Sequence, residues 1–173
     1  MGCLNICLRD KLLITGMIAV LALVLALAAI ICSIININNA DNRGMQAELN
    51  NAGGEVIANN SNVIFNHVLN DQSENISYNS ATGEFTITEP GNYEVAWWTA
   101  PDGAGPAANI SFAVAVNGIP YAAVSSPIVS VQMAGNALVT VESVPATLSL
   151  VNVTGEAVLI PNTPVQSGIV IKE

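Results

Sequence analysis

His67 is the only histidine of this 173-residue chain, and any imidazole-based proton transfer or metal binding would have to be built around it. It sits between Asn66 and Val68 in a run that reads as a strand, where a histidine is ordinarily structural or exposed. A Ser–His–acid arrangement would also need a presented serine, and no serine here lies in a G-x-S-x-G elbow. All three cysteines fall before residue 33, so the C-terminal stretch lacks both a second imidazole and any thiolate for a zinc site. Glu84 and Glu89 flank turns and read as solubilising charge rather than as an acid–base pair. Asp71, Glu74 and Asp102 are the loop-like candidates for calcium, but their spacing matches no calcium loop, and plain solvated loops are the simpler reading. No phosphate loop or dinucleotide fingerprint occurs. These residues predict a chain that is not an enzyme and has no catalytic, cofactor or metal site.

What, then, would the elements carrying these residues be for? The chain is 51% apolar and 10% charged, too apolar for a disordered tail. Residues 12–35, "LLITGMIAVLALVLALAAIICSII", run without a charge. At 1.5 Å per residue they make a helix of about 36 Å, enough for a hydrocarbon core of about 30 Å with some tilt. The segment is predicted to be a transmembrane signal anchor. Arg9 and Lys11 precede it, so residues 1–11 are predicted to be a cytoplasmic tail and the C-terminal part an extracellular head. From residue 41 onward, Arg43 and Lys172 face twelve of the thirteen acids. That balance argues against nucleic acid and anionic lipid as partners, because binding either requires cations that displace counterions.

Other fates of the leader stay open. "ALAA", Ala26 to Ala29, is a possible signal-peptide cleavage site, although the apolar run continues past it. Ile31 before Cys32 does not suit a lipoprotein signal, and Leu21 stands where a pilin-like leader ending at Gly16 would place an acid. Cys3 and Cys7 are either free thiols or acylated beside the membrane. With no cysteine beyond residue 32, the head must be held together by packing.

Residues 36–55, rich in Asn and Gly, are predicted to be a flexible spacer in which "MQAEL" forms at most a helical turn. From Val56 the pattern changes to short apolar runs: "NVIFNHVL", "GEFTIT", "NYEVAWWTA", "NISFAVAV", "YAAV", "PIVSVQM", "ALVTVES", "TLSLVNV", "EAVLI" and "GIVIKE". Turn formers separate them, among them Pro90-Gly91, "PDGAGP", Asn117-Gly118 and Gly135-Asn136. Ten strands without an amphipathic helix predict an all-β sandwich or barrel over residues 56–173. Asn59, Asn75, Asn109 and Asn152 each begin an N-x-[ST] triplet, which a eukaryotic secretory route would read as glycosylation acceptors.

The aromatic spacing adds a resemblance. Phe65, five residues, Asp71, then Tyr78, six residues, Phe85, five residues, Gly91, one residue and Tyr93, with an aromatic at Trp97, resembles the signature of the complement-1q head in the complement-1q/tumour necrosis factor jelly-roll superfamily. "FNHVL", "YNSATGEFTITEPGNYEV", "AVNGIP" and "QSGIVI" are similar to that family's first strand, central hairpin, mid-domain turn and last core strand. Tyr78 stands two residues late and Val95 replaces a usual Phe. The Ala, Val and Thr richness from Ser111 to Val153 resembles the heads of bacterial spore-surface (exosporium) collagen-like glycoproteins, although no Gly-X-Y repeat is present.

The resemblance implies a ten-stranded jelly-roll head that assembles as a homotrimer and acts, without catalysis, as a recognition or adhesion module for an unknown protein or glycan ligand. The alternatives are a structural component of a cell or spore surface layer and a cleaved, secreted trimeric ligand. Phe65, Asp71, Tyr78, Phe85, Gly91, Tyr93 and Trp97 are the signature and structural-core candidates, with Gly91 turning the chain between strands. Trp97 and Trp98 must point to opposite faces of one strand, so Trp98 is the candidate trimer or ligand contact. Strands such as "SFAVAV" and "GIVIKE" are apolar on both faces, which predicts that another subunit supplies the second cover.

Overall fold

The computed structural model describes residues 17–33, 43–51, 53–107 and 109–173. They belong to two compact units that divide between residues 41 and 42. In the first, residues 17–33 form an α-helix, α1, whose side chains are all exposed. Leu and Ala, which lose little side-chain freedom in a helix, make up most of it. Among the described residues no helix is long and apolar enough to cross a membrane. The remainder of the expected span, residues 12–16 and 34–35, lies outside the described residues, as do Cys3, Cys7 and residues 36–42 of the expected spacer.

The described residues of the second unit form twelve strands, ten of them in an antiparallel sandwich. In chain order they are β1 (Gly44–Asn50), β2 (Val56–Ile57), β3 (His67–Asp71), β4 (Ile76–Asn79), β5 (Glu84–Ile87) and β6 (Gly91–Thr99), followed by β7 (Ile110–Val116), β8 (Ile119–Ser126), β9 (Met133–Val141), β10 (Ala146–Asn152), β11 (Val158–Leu159) and β12 (Val165–Lys172). One five-stranded sheet has the order β3-β1-β12-β6-β9 and the other β4-β5-β10-β7-β8, with β11 and β2 as a small ribbon. The sequence neighbours β5 and β6 lie in opposite sheets, and so do β8 and β9. The chain thus crosses the core repeatedly, as a jelly roll does.

Alternation places the core. Tyr93, Val95, Trp97 and Thr99 of β6 point inward, as do Ile110, Phe112 and Val114 of β7 and Leu148 and Leu150 of β10. Between β7 and β8 the two-residue Asn117-Gly118 loop takes φ of +51° and +74°, the left-handed pair that matches a hairpin's twist, as its sequence predicted.

Four sequence expectations are corrected. Residues 44–50 are not spacer or helical turn but the strand β1, hydrogen-bonded between β12 and β3, so the compact head begins at residue 42 rather than 56. Met, Gln, Ala, Glu and Leu favour a helix in isolation, yet Met45, Ala47 and Leu49 bury themselves here with period two; tertiary burial overrides propensity. Gly135-Asn136 is no turn, since both lie inside β9 opposite Trp97 and Ala96. An ideal Cβ on Gly135 would sit 2.7 Å from Trp97 Cζ2, so glycine is there to admit the indole. Gly91 opens β6 without a positive φ and does not make the turn. "PIVSVQM" is loop up to Gln132, although the two sheets together hold ten strands, to which the β2–β11 ribbon is added.

The argument from "SFAVAV" also changes. The outward Ala113 and Ala115 of β7 are buried within the chain itself, packed with Val151 and half-buried Val153. Such short side chains need no second subunit to cover them.

Candidate functional site

The signature residues separate into core and surface. Phe65, Phe85, Tyr93 and Trp97 are buried, Tyr78 is half-buried, Gly91 is partly exposed, and Asp71 ends β3 fully in solvent. Asp71 is therefore not a core residue; it is exposed at the end of β3, the edge strand of its sheet. Tyr78, Phe85 and Phe65 form a cluster, with ring centroids 4.5 Å apart for Tyr78–Phe85 and 6.1 Å for Phe65–Phe85. Both hydrogen-bonding roles of the Tyr78 phenol are used at Phe65: the Phe65 N–H donates to it over 2.7 Å, and it donates to the Phe65 carbonyl over 2.9 Å. The cluster thereby fastens an irregular segment to the β4–β5 hairpin without a disulfide.

Burial, the dominant cause, pushes the Tyr78 phenol up to about 12. A raised folded-state value favours the neutral form, so Tyr78's contribution to stability is complete below the usual tyrosine range near 10. It is lost as pH rises from there through about 12. An ultraviolet absorbance titration is expected to show one tyrosine ionising at that high pH, and Tyr78→Phe is expected to remove that phase.

Among the described residues, no catalytic constellation is assembled around His67. It is exposed at the start of β3, and its nearest polar partner is the Asn50 amide, 3.5 Å from Nδ1. Serine hydroxyls donate to acids elsewhere, Ser130 to Asp102 over 2.6 Å and Ser73 to Glu173, each without an imidazole. The three acids weighed for calcium do not meet in any group of three or more His, Cys, Asp or Glu among the described residues.

What the fold does assemble is an apolar strip along the β8–β9 side. Leu138 is 75% exposed, Ile119 71% and Tyr121 60%, while the Tyr121 hydroxyl donates to the Leu138 carbonyl over 3.2 Å. Leu138 is aligned with Glu94 of β6, which places it on the outer face of the first sheet. That face also carries exposed Ala96 and half-buried Trp98. Trp97 and Trp98 do point to opposite faces: Trp97 lies in the core 6.3 Å from the Phe112 ring, and Trp98 lies outside across Gly168. Tyr121 and Leu138 were not singled out by sequence. In "ALVTV" the one outward leucine is hidden among inward Ala137, Val139 and Val141, and only its odd phase marks it.

No family model matches the sequence, and neither does any curated protein. Solved structures do resemble the fold. The globular domain of zebrafish complement 1qA protein superposes at a TM-score of 0.53, with 17% identity, over 75% of this chain and 92% of its own. Eiger TNF from S. frugiperda gives 0.51 at 13% identity, over 76% and 92%. PRD1 vertex protein P5 gives 0.50 at 12% identity, over 74% and 94%. The chain accordingly has the jelly-roll fold of complement-1q and tumour necrosis factor heads.

Proposed function

We propose that this chain, with its complement-1q/tumour necrosis factor-like jelly roll, is a membrane-tethered surface module that works as a homotrimeric, non-catalytic recognition head. The observation that carries the reading is the strip of Ile119, Tyr121 and Leu138, the most exposed large apolar side chains among the described residues of the head. A strip at one edge and the outer face with Trp98 around the corner suit a heterologous contact, edge of one subunit on face of the next, which closes into a ring. The family resemblance supplies the number three. Light scattering on the full chain in detergent is expected to give three times the subunit mass after correction for bound detergent. Leu138→Arg is expected to shift that mass to monomer while the fold, read by circular dichroism, persists. A monomeric parent chain would remove the quaternary reading.

The tether rests on the uncharged residues 12–35, on exposed α1 within them, and on Arg9 and Lys11 before them. Protease added to intact cells is expected to remove the head, whereas complete protection would reverse the orientation. The resemblance to a vertex protein favours a second reading, a structural unit of a surface layer. Cells lacking the chain would then lose layer integrity rather than binding. Cleavage and release of the head is a further variant, read directly from the intact mass of the mature chain.

A further inference from the structure

The end of the sandwich opposite Gly44 is closed by loops that pair with one another. β1, β6, β8 and β10 finish there and β7, β9 and β12 begin, with Asn50 aligned to Val165, Thr99 to Met133, Ser126 to Ile110 and Asn152 to Phe112. Across this end β2 pairs with β11, Ala104 bridges Val158 on the other side of β11, and Asp102 bridges Ser130. Two backbone bonds tie the row together: the Leu159 N–H donates to the Gly103 carbonyl over 2.8 Å, and the Asp102 N–H to the Leu159 carbonyl over 2.9 Å. The inward side of this small sheet, with Ile57, Ala104 and Val158, belongs to the core. Its outward side carries the aligned pair Val56 and Leu159, 59% and 39% exposed. An ideal Cβ at Gly103, beside Leu159, or at Gly54, ahead of Val56, would meet nothing within 4 Å, so the pair stands open.

Charge selects what covers it. The loops of this end, residues 51–62, 100–109, 127–132 and 153–164, hold Glu55, Asp102 and Glu156 and neither Lys nor Arg. Both bases of the head sit at the opposite end, where Lys172 is aligned with Gly44 and the Arg43 carbonyl accepts the Glu173 N–H. The Asp102 carboxylate accepts the Ser130 hydroxyl over 2.6 Å, a neutral partner that leaves its charge in place. Two such ends repel each other, which disfavours a second copy, and nucleic acid or anionic lipid is repelled in the same way. The acids do not meet in a metal-binding group among the described residues. Aliphatic side chains standing open among carboxylates, with no base near, complement a segment in which Leu or Val alternates with Lys or Arg. We infer that this end of the head docks a basic, apolar protein segment, an assignment that rests on reading the head as a recognition module. Assembly through the β8–β9 edge and the Trp98 face leaves it open, because that contact uses a side and a flank of the sandwich, and its Ile119 follows the Asn117-Gly118 turn at the other end.

The test is fluorescence anisotropy with the full chain in phosphatidylcholine nanodiscs, empty discs serving as the blank. The probes are short labelled peptides of alternating Lys and Leu, of Lys and Ser, and of Glu and Leu. The Lys–Leu peptide is expected to bind about tenfold more tightly than either of the others, an advantage that shrinks as salt screens the carboxylates. Val56→Ser and, independently, Asp102→Asn combined with Glu156→Gln are each expected to weaken it about fivefold, while the melting temperature and the assembled mass stay those of the parent. No binding of the Lys–Leu peptide beyond the blank, equal binding of the Glu–Leu peptide, or binding untouched by both variants overturns the assignment. Flotation with phosphatidylglycerol vesicles, or self-association of the loaded discs that Val56→Ser abolishes, gives the face to lipid or to a second copy and overturns it as well. A Val56→Ser chain that loses the peptide but binds its target surface as the parent does overturns this end as the contact and leaves the recognition reading standing, whereas a chain that binds the peptide but no surface does the reverse.

Discussion

Phe85→Ala is expected to lower the unfolding free energy of the head by about 3–5 kcal/mol, a large share of the 5–15 kcal/mol that typically holds a domain. The ring is fully buried on β5, in contact with Tyr78 and Phe65, and the strand is hydrogen-bonded on both sides, to β4 and β10. A neighbourhood so constrained cannot collapse into the space left behind, so the cavity cost adds to the lost burial. Tyr78 would also lose the ring that packs its phenol beneath the Phe65 backbone, loosening residues 63–66. Urea unfolding followed by circular dichroism measures the change, with the midpoint falling and the slope preserved. A variant that melts like the parent would contradict the assigned burial.

Asn152→Ala is the other large effect, expected at about 3 kcal/mol, because it strands several buried groups at once rather than one. The side chain is fully buried. Its amide N–H groups serve the carbonyls of Ile57 and Glu156 at 2.9 Å and Ala58 at 3.2 Å, while its Oδ1 accepts the Thr154 N–H at 2.9 Å. One residue at the end of β10 thus holds both the β2 segment and the loop leading to β11. Hydrogen exchange is the sharper readout: the Asn60 N–H bonded to the Asn152 carbonyl, and the Ile160 N–H bonded to Glu55, are expected to open faster in the variant. Unchanged exchange at both would mean that the loops are held by other contacts. The same burial removes Asn152 from the four N-x-[ST] triplets open to modification, since its amide nitrogen faces carbonyls and not solvent.

The sequence by itself determined the character of the chain. Apolar alternation between Gly and Pro turns, with the rings Phe65, Phe85, Tyr93 and Trp97 on its inward phase, specified a β sandwich and most of its aromatic core, because each signal is local and has period two. Tertiary structure alone decided the rest, wherever two readings were locally equal. "MQAEL" became β1 because β12 and β3 offered it backbone partners and a buried face, gains that outweigh its helical preference. Gly135 serves the Trp97 ring, a residue 38 positions away, and no local pattern carries such a contact. In runs apolar at every position, periodicity cannot say which side chains face water; that depended on which sheet lay across the core. The placement of β9 beside β6 left Leu138 exposed next to Tyr121.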